Sequence, residues 1–440
     1  MTALRTIDIN SPAGPAQLDE LIELLKAGGL TNADAEDALD VPVIVAGILE
    51  DVRLGGDEAA ARLTSQFDGA AITPATLRVP AERIARAHAD AEPAFLELMR
   101  SAIANIRAYQ EHILVKAPPP LERGGRKLGV RYTPIERTAV YVPGGQALYP
   151  STVLMTVVPA QVAGVREIVM LTPPTGGEIN DMALALAGEL GIEEVYRVGG
   201  AVAVAAVAYG TESIRAVDKI VGPGNAFVAE AKRQLFGRVG IDSIAGPSEV
   251  VIVADDSAPA DWVAADLLAQ AEHNPGSSVL VTPNASLASE VEKALDAGLA
   301  ELERADVIRP ALEAYGAIVL VEDLEQACAI ANRFAPEHLQ IMTRDDEACT
   351  AAIPNAGAVF TGRYTPVPLG DYFAGPSHVL PTGTTARFFG PLSCNDFVKA
   401  SSLLEYDAAS MTEDADAVSD FATREGLTAH ARAARLRKRD

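Results

Sequence analysis

The sequence is poor in side chains that would widen the choice of chemistry: 440 residues hold three cysteines, one tryptophan and six histidines. Cys328, Cys349 and Cys394 are odd in number and widely spaced, so neither a disulfide framework nor a paired-thiolate metal site can be built from them. Basic charge is also short. Lys and Arg number 36 against 60 Asp and Glu, a formal net charge of -24. Such a surface repels phosphate backbones and anionic headgroups, so neither nucleic acid nor membrane is an expected partner. The basic run from Arg432 to Arg439 reads as favourable charge at the C-terminal end of a helix. No charged start followed by an apolar run opens the chain, and no stretch is long and charge-free enough to span a bilayer. A reduced, cytoplasmic location is therefore expected.

What remains is an ordinary globular composition, 49% hydrophobic and 22% charged, in a chain longer than one hydrophobic core usually serves. The start reads as a short strand, a helix from Pro15 to Ala27 and a linker. Val41 to Leu54, Asp57 to Phe67 and a long stretch from Pro80 to Leu114 carry apolar residues at helical spacing, and Pro118-Pro119-Pro120 ends the last of them. From Thr138 the pattern changes. Strands at Thr138–Val142, Glu167–Leu171, Glu194–Val198 and Lys219–Val221 each lead through a Gly or Pro turn into a helix, the pattern of a parallel sheet with crossover helices. A second run has strands at Glu249–Ala254, Ser278–Thr282, Ala317–Val321, Leu339–Thr343 and Ala358–Thr361. Beyond Pro391 the chain reads as polar and helical. The expected fold is α/β: two doubly wound, incompletely Rossmann-like parallel-sheet domains with small helical segments at both ends. The expected partition is 1–37 for an N-terminal segment, 38–140 with 247–391 for the first α/β domain, 141–246 for the second, and 392–440 for a C-terminal tail.

Four of the six histidines keep company with acids, amides, glycine and proline. Ala335-Pro336-Glu337-His338-Leu339 sets a carboxylate beside an imidazole, the pairing that general acid-base chemistry uses. Adjacent side chains on extended chain point opposite ways, so the two can divide two tasks. Gln270 and His273 end an apolar helix and, three apart, share one face. Asp371 and His378 lie in a Gly- and Pro-punctuated loop after a strand, and loops at the carboxyl ends of parallel strands line the ligand crevice. Glu425 and His430 sit on the last helix, near enough to the terminus to complete a site on another domain or subunit. Each group has a plainer alternative: a helix-end histidine bonded to carbonyls, a turn aspartate, an exposed loop pair, a solvated helix face. Together His273, His430, Asp371 and the amide oxygen of Gln270 make a nitrogen and oxygen donor set without sulfur. That set suits zinc, and also manganese or cobalt. For a nucleotide the signal is thin. No G-x-G-x-x-G follows a strand, but Gly199-Gly200 and Gly222-Pro223-Gly224-Asn225 are turns into helices whose first amides can meet a phosphate, or tight turns that need glycine.

Seven segments in order resemble the histidinol dehydrogenase family, nearly end to end: Tyr141-Val142-Pro143-Gly144-Gly145, Val221 to Val228, Ala245 to Val250, Asp266 to His273, Ala335 to Leu339, Gly370-Asp371-Tyr372 with Ser377 to Thr382, and Glu425 to His430. The resemblance implies an enzyme that oxidises L-histidinol to L-histidine, the last step of histidine biosynthesis, with two NAD reduced in succession. It implies one zinc per subunit, held by Gln270, His273, Asp371 and His430, with the substrate meeting these ligands together with Ser248, His338, His378 and Glu425. His338 would be the general base and Glu337 would activate water for the second oxidation. The family is homodimeric, and the resemblance implies a tail that carries Glu425 and His430 into the partner's site. Around NAD it implies Tyr141, Asn225 and a position that reads Val202 in this chain, where the family pattern has glutamine. With that hydrogen-bonding side chain lost, NAD is expected to bind more weakly or in a different pose unless backbone amides or another group compensate. Three rival readings remain open. A zinc hydrolase needs no dinucleotide crevice, a non-catalytic imidazole-binding protein needs neither Glu337 nor His338, and an enzyme for a related amino alcohol would keep every one of these residues.

Overall fold

The computed structural model describes residues 4–27, 40–144, 149–273 and 276–438. Gly145, the linker at 28–37 and Arg439, all used in the sequence reading, lie outside them. Two parallel sheets organise the chain. In the first, the strands lie in the order Glu194–Arg197, Glu167–Thr172, Arg137–Tyr141, Lys219–Val221, Gly240–Ile241, every neighbouring pair parallel. Numbered along the chain this is 3-2-1-4-5, the doubly wound arrangement. The second runs Arg5–Asp8, Gly316–Leu320, Gly276–Thr282, Ser248–Ala254, His338–Met342, Ala358–Thr361, again parallel throughout. Without its N-terminal strand, it repeats the 3-2-1-4-5 order. Unbroken apolar runs such as Val250-Val251-Ile252-Val253 form these strands because helices cover both sheet faces, leaving no polar side to alternate with. The three cysteines are buried and unpaired. No helix of the described residues is long and apolar enough to cross a membrane.

The packing departs from the expected partition. Residues 41–113, expected with the second sheet, pack on the first. Val45, Ile48, Leu49 and Val52 share a core with Val202, Val204 and Val207 of the wholly apolar helix Gly200–Tyr209. Ile84 and Ile106 share one with Val153, Leu154 and Val158. Arg137–Tyr141 is the central strand of that same sheet. The N-terminal segment, in turn, is an edge strand of the second sheet, with Leu18, Leu21 and Ile22 of helix Gly14–Ala27 in its core. Each segment goes where an apolar face needs cover, which chain order does not reveal.

Local departures have local causes. The long Pro80–Leu114 stretch is two helices, Ala81–Asp90 and Pro93–Ile113. The residue before a proline is pushed to extended backbone, and Pro93 then opens the second helix. The break expected between Leu54 and Asp57 is present, at Gly56. The tail beyond Pro391 is not all helical: Val398–Tyr406 pairs antiparallel with Arg126–Pro134, and Leu121–Arg123 forms the third strand. Most of this ribbon is exposed on both faces, so its sequence lacks the alternation that marks a half-buried strand. Helices Ala408–Arg424 and Thr428–Leu436 then close the chain as a hairpin.

Candidate active site

A cavity of about 880 Å³ opens between the two sheets. From the first sheet it takes the residues after the strands' carboxyl ends: Pro143, Pro173, Gly199-Gly200 and Pro223-Gly224-Asn225. This follows the rule for open parallel sheets. The second sheet does the opposite. Ser248 and His338 are the first residues of their strands, so its amino edge faces the cavity. Asp371 and His378 were expected at a carboxyl end. Instead the chain after Ala358–Thr361 returns through Val367–Leu369, and Asp371 Oδ1 comes to 3.4 Å from His338 Nε2.

The pair at 337 and 338 is delivered by a sharp turn. Ala335 ends helix Leu324–Phe334 in the left-handed region, φ +45°, a costly conformation for a residue with a Cβ. Pro336 follows, and both Glu337 and His338 are buried, which removes the exposed-loop alternative. They do not face apart as extended chain implies: Glu337 Oε2 lies 3.4 Å from His338 Nδ1. His338 Nδ1 is 3.1 Å from the main-chain oxygen of Glu249. A carbonyl only accepts, so Nδ1 carries the proton and Nε2 presents a lone pair in the neutral ring. That Nε2 is buried with no hydrogen-bond partner. Burial disfavours a charge on His338, but Glu337 and Asp371 outweigh it and hold the imidazole well above its ordinary range. Glu337 Oε2 accepts from Ser248 Oγ at 2.5 Å and from the Glu249 amide at 2.8 Å.

Sequence reading placed Glu249 in a motif but gave it no task. Its amide binds Glu337 and its carbonyl binds His338. Its buried carboxyl accepts from the amides of Glu337 and Gly383, at 3.3 and 2.9 Å. Nothing in a single sequence separates such a buried glutamate from a surface one. Burial, and then the charge of Glu337, push its carboxyl up to about 8 from an ordinary 4.5. Between those values unfolding releases a proton that the folded chain keeps, so this group's contribution to stability is full below the lower value and is lost as pH rises to the upper one. Glu249→Gln has no proton to release. Its unfolding free energy relative to the parent, from urea titrations, should climb steadily from about pH 5 to about pH 8, by up to about 1.4 kcal/mol per pH unit. A difference independent of pH would show that Glu249 is already ionised.

Of the four expected metal ligands, His273 and Asp371 line this cavity, and Gln270 reaches its wall through Ser248. Gln270 Nε2 donates to Ser248 Oγ at 2.8 Å, which leaves its Oε1 for a cation. His273, just beyond helix Ala260–Ala271, lines the cavity with Asp371. Burial opposes the charge on Asp371, yet His338, His378 and His273 hold its carboxyl below the usual range. Burial also keeps His378 below the ordinary histidine value, despite Asp371. Glu425 and His430 do not join them. They are exposed on the C-terminal hairpin and line no part of this cavity. No group of three or more His, Cys, Asp or Glu side chains among the described residues is placed to hold a metal.

The opposite wall has the features of a dinucleotide crevice. Strand order reverses between Arg137–Tyr141 and Lys219–Val221, and such a switch point is where nucleotides lie. Buried Tyr141 accepts from the Gly200 amide at 3.1 Å, and burial pushes its hydroxyl up to about 12, so it stays a donor. Asn225 Oδ1 caps helix Ala226–Leu235 through the amides of Phe227 and Val228, leaving Nδ2 for a ligand. Val202 borders the cavity but is part of the core. Gly222, at φ +112°, has no room for a side chain, since a Cβ would lie 2.2 Å from the Tyr141 oxygen. Lys232 and Asp242, unmarked by any motif, hold this turn from beneath: Lys232 Nζ donates to the Gly222 oxygen at 2.6 Å and Asp242 Oδ2 accepts from its amide at 2.7 Å.

Comparison with known proteins identifies the family. The model of the histidinol dehydrogenase family matches residues 31–438. The chain is 48% identical over 448 aligned positions to histidinol dehydrogenase of Rhodopirellula baltica, covering 99% of this chain and 97% of that one. It is 49% identical over 395 positions to that of Geobacillus kaustophilus, with 89% and 93% covered. The crystal structure of histidinol dehydrogenase from Elizabethkingia anophelis superposes with a TM-score of 0.90 at 32% identity, covering 99% of this chain and 98% of that one. The chain belongs to the histidinol dehydrogenase family, oxidoreductases of histidine biosynthesis.

Proposed function

We propose that this protein oxidises L-histidinol to L-histidine by four electrons, with zinc and NAD as cofactors, and that the intermediate L-histidinaldehyde stays bound between the two steps. The observation that carries the reading is the buried His338 Nε2, which makes no hydrogen bond and faces the Asp371 carboxylate at 3.4 Å, in a cavity shared with a nucleotide-type switch point. His338 takes the alcohol proton through that atom as hydride leaves the carbinol carbon. The proton stays on Nδ1, donated to the Glu249 carbonyl, and fixes the ring. Glu337, anchored by Oε2, has Oε1 to take a proton from water as it adds to the aldehyde carbon. The hydrate then gives up the second hydride and a proton. One water enters and two NAD are reduced. Carrying out both steps in a single cavity keeps the reactive aldehyde bound between them. NAD, when bound, supplies the hydride acceptor. Its fit rests on the unspent donors of Tyr141 and Asn225 and on the N-terminus of helix Gly200–Tyr209, whose N-cap Gly199 has no side chain to cap it.

Zinc fits the chemistry of Gln270, His273 and Asp371, all nitrogen or oxygen donors; when bound there it would hold the nitrogen atoms of the substrate. One chain leaves that set short of a donor. The hairpin bearing Glu425 and His430 displays apolar side chains to solvent, Phe421 at 67% exposure, and Leu404 on the adjoining ribbon is 71% exposed, which supports a surface made for a partner. The proposed assembly is a homodimer in which each tail supplies His430 and Glu425 to the other's site.

The direct test is the amount of NADH formed per L-histidinol consumed by zinc-loaded protein at mildly alkaline pH, where His338 is more often neutral. Two, with L-histidine as product, is expected. One would mean that the aldehyde escapes; none, with zinc bound, would favour a hydrolase or a related amino alcohol.

A further inference from the structure

The reading of the crevice as an NAD site leaves a gap at Val202, which offers no side-chain hydrogen bond. Two polar groups beside it have no evident use in the fold. Thr64 and Asp68 lie one turn apart on helix Val41–Asp68, on one face. Both border the cavity together with Tyr141, Gly200 and Val202. Thr64 is 1% exposed and its Oγ1 has no hydrogen-bond partner. A helical threonine usually returns its hydroxyl to the carbonyl one turn back; a buried hydroxyl left bare destabilises the fold. Asp68 is the last residue of its helix, where the helix dipole disfavours an anion, and no basic residue shares that last turn. It is half-buried and forms no ion pair with any described residue. Burial raises its carboxyl above the usual range. Ligand-free, both groups stand at a loss.

The hydride end of the cofactor must lie at His338, on the second sheet. The wall formed by helix Val41–Asp68, packed on the first sheet, is left for the adenosine half, with Ile48, Phe67 and Phe227 as apolar cover. We infer that Thr64 and Asp68 form the subsite for the adenosine ribose of NAD, the Asp68 carboxylate accepting from its vicinal hydroxyls, and that the charge of Asp68 turns away the 2′-phosphate of NADP. This rests on the NAD reading above. It supplies the compensating group that Val202 calls for.

The test is direct binding of NADH and NADPH, by nucleotide fluorescence, to zinc-loaded protein and to Asp68→Asn and Thr64→Val, with thermal midpoints measured alongside. The parent should prefer NADH. Asp68→Asn should lose about tenfold or more in NADH affinity, the range for a hydrogen bond to a charged group, and hold NADPH as well as or better than before. Thr64→Val should bind NADH several-fold more weakly while melting at a higher temperature, because the bare hydroxyl is gone. A purely structural role would not move those two readings in opposite directions. Parent-like NADH binding in both variants would overturn the assignment and leave the NAD reading standing. Equal weakening of NADH and NADPH by Asp68→Asn would overturn the discrimination. Failure of the parent to bind NADH at all would overturn the NAD reading and this subsite with it.

Discussion

His338→Asn should slow the first oxidation by about a hundred- to ten-thousand-fold, the range for a lost general acid or base. The substitution is chosen to spare the architecture. An asparagine amide placed near Nδ1 can still donate to the Glu249 oxygen that now takes the ring proton. What disappears is Nε2, the buried atom that makes no hydrogen bond. Zinc content should not change, because His338 is outside the proposed donor set. Glu337→Gln tests the division of labour. A glutamine can still accept from Ser248 and the Glu249 amide but cannot take a proton from water. It should therefore stall turnover after the first hydride. Single-turnover NADH formation, started once from L-histidinol and once from L-histidinaldehyde, separates the two steps. His338→Asn should be slow chiefly from the alcohol, and Glu337→Gln chiefly from the aldehyde. If Glu337→Gln slows both equally, the carboxylate serves to orient His338, 3.4 Å away, and not to activate water.

The legible part of this fold was the part buried on both faces. Unbroken apolar strands between Gly and Pro turns mark both parallel sheets, and their observed bounds differ from expectation by a residue or two at the ends. What stayed hidden was what depends on distant cover. The Arg126–Pro134 and Val398–Tyr406 ribbon has few buried positions and so no alternation to read. The helices of 41–113 look the same whichever sheet they cover. The site divides similarly. Ser248, Gln270, His273, Glu337, His338, Asp371 and His378 carry chemistry in their side chains, and the second sheet's amino edge brings them together. Glu249 acts largely through its main-chain amide and carbonyl, which every residue has. Thr64 and Asp68 are ordinary residues for a helix, and only their lack of partners in three dimensions sets them apart. Glu425 and His430 could be placed on the last helix, but the cavity of one chain does not contain them.

Lys232→Met should be among the most destabilising substitutions in the first sheet, by about 3–5 kcal/mol, the cost of removing one partner from a buried ion pair. The side chains of Lys232 and Asp242 are 3% and 5% exposed and meet at 2.7 Å. Between them they satisfy both the oxygen and the amide of Gly222. Methionine matches the bulk of the lysine stem but leaves the buried Asp242 carboxylate with only the charge of Lys219, which has its own partner in Asp396, and the Gly222 oxygen without its donor. Most of the loss should come from the stranded charge. Lys232→Met combined with Asp242→Asn should then regain much of it, since asparagine is neutral and its Oδ1 can still accept from the Gly222 amide. Urea unfolding of the single and double variants reads the difference directly. A single variant as stable as the parent would mean that Asp242 finds another partner or a proton. A double variant no better than the single would place the loss in the missing Lys232–Gly222 bond. Either way the turn at Gly222-Pro223-Gly224-Asn225 is the segment at stake. The same pair that stabilises the fold fixes the backbone on which the proposed nucleotide would rest, so the double variant, with the turn held from one side only, should recover stability more fully than it recovers NADH affinity.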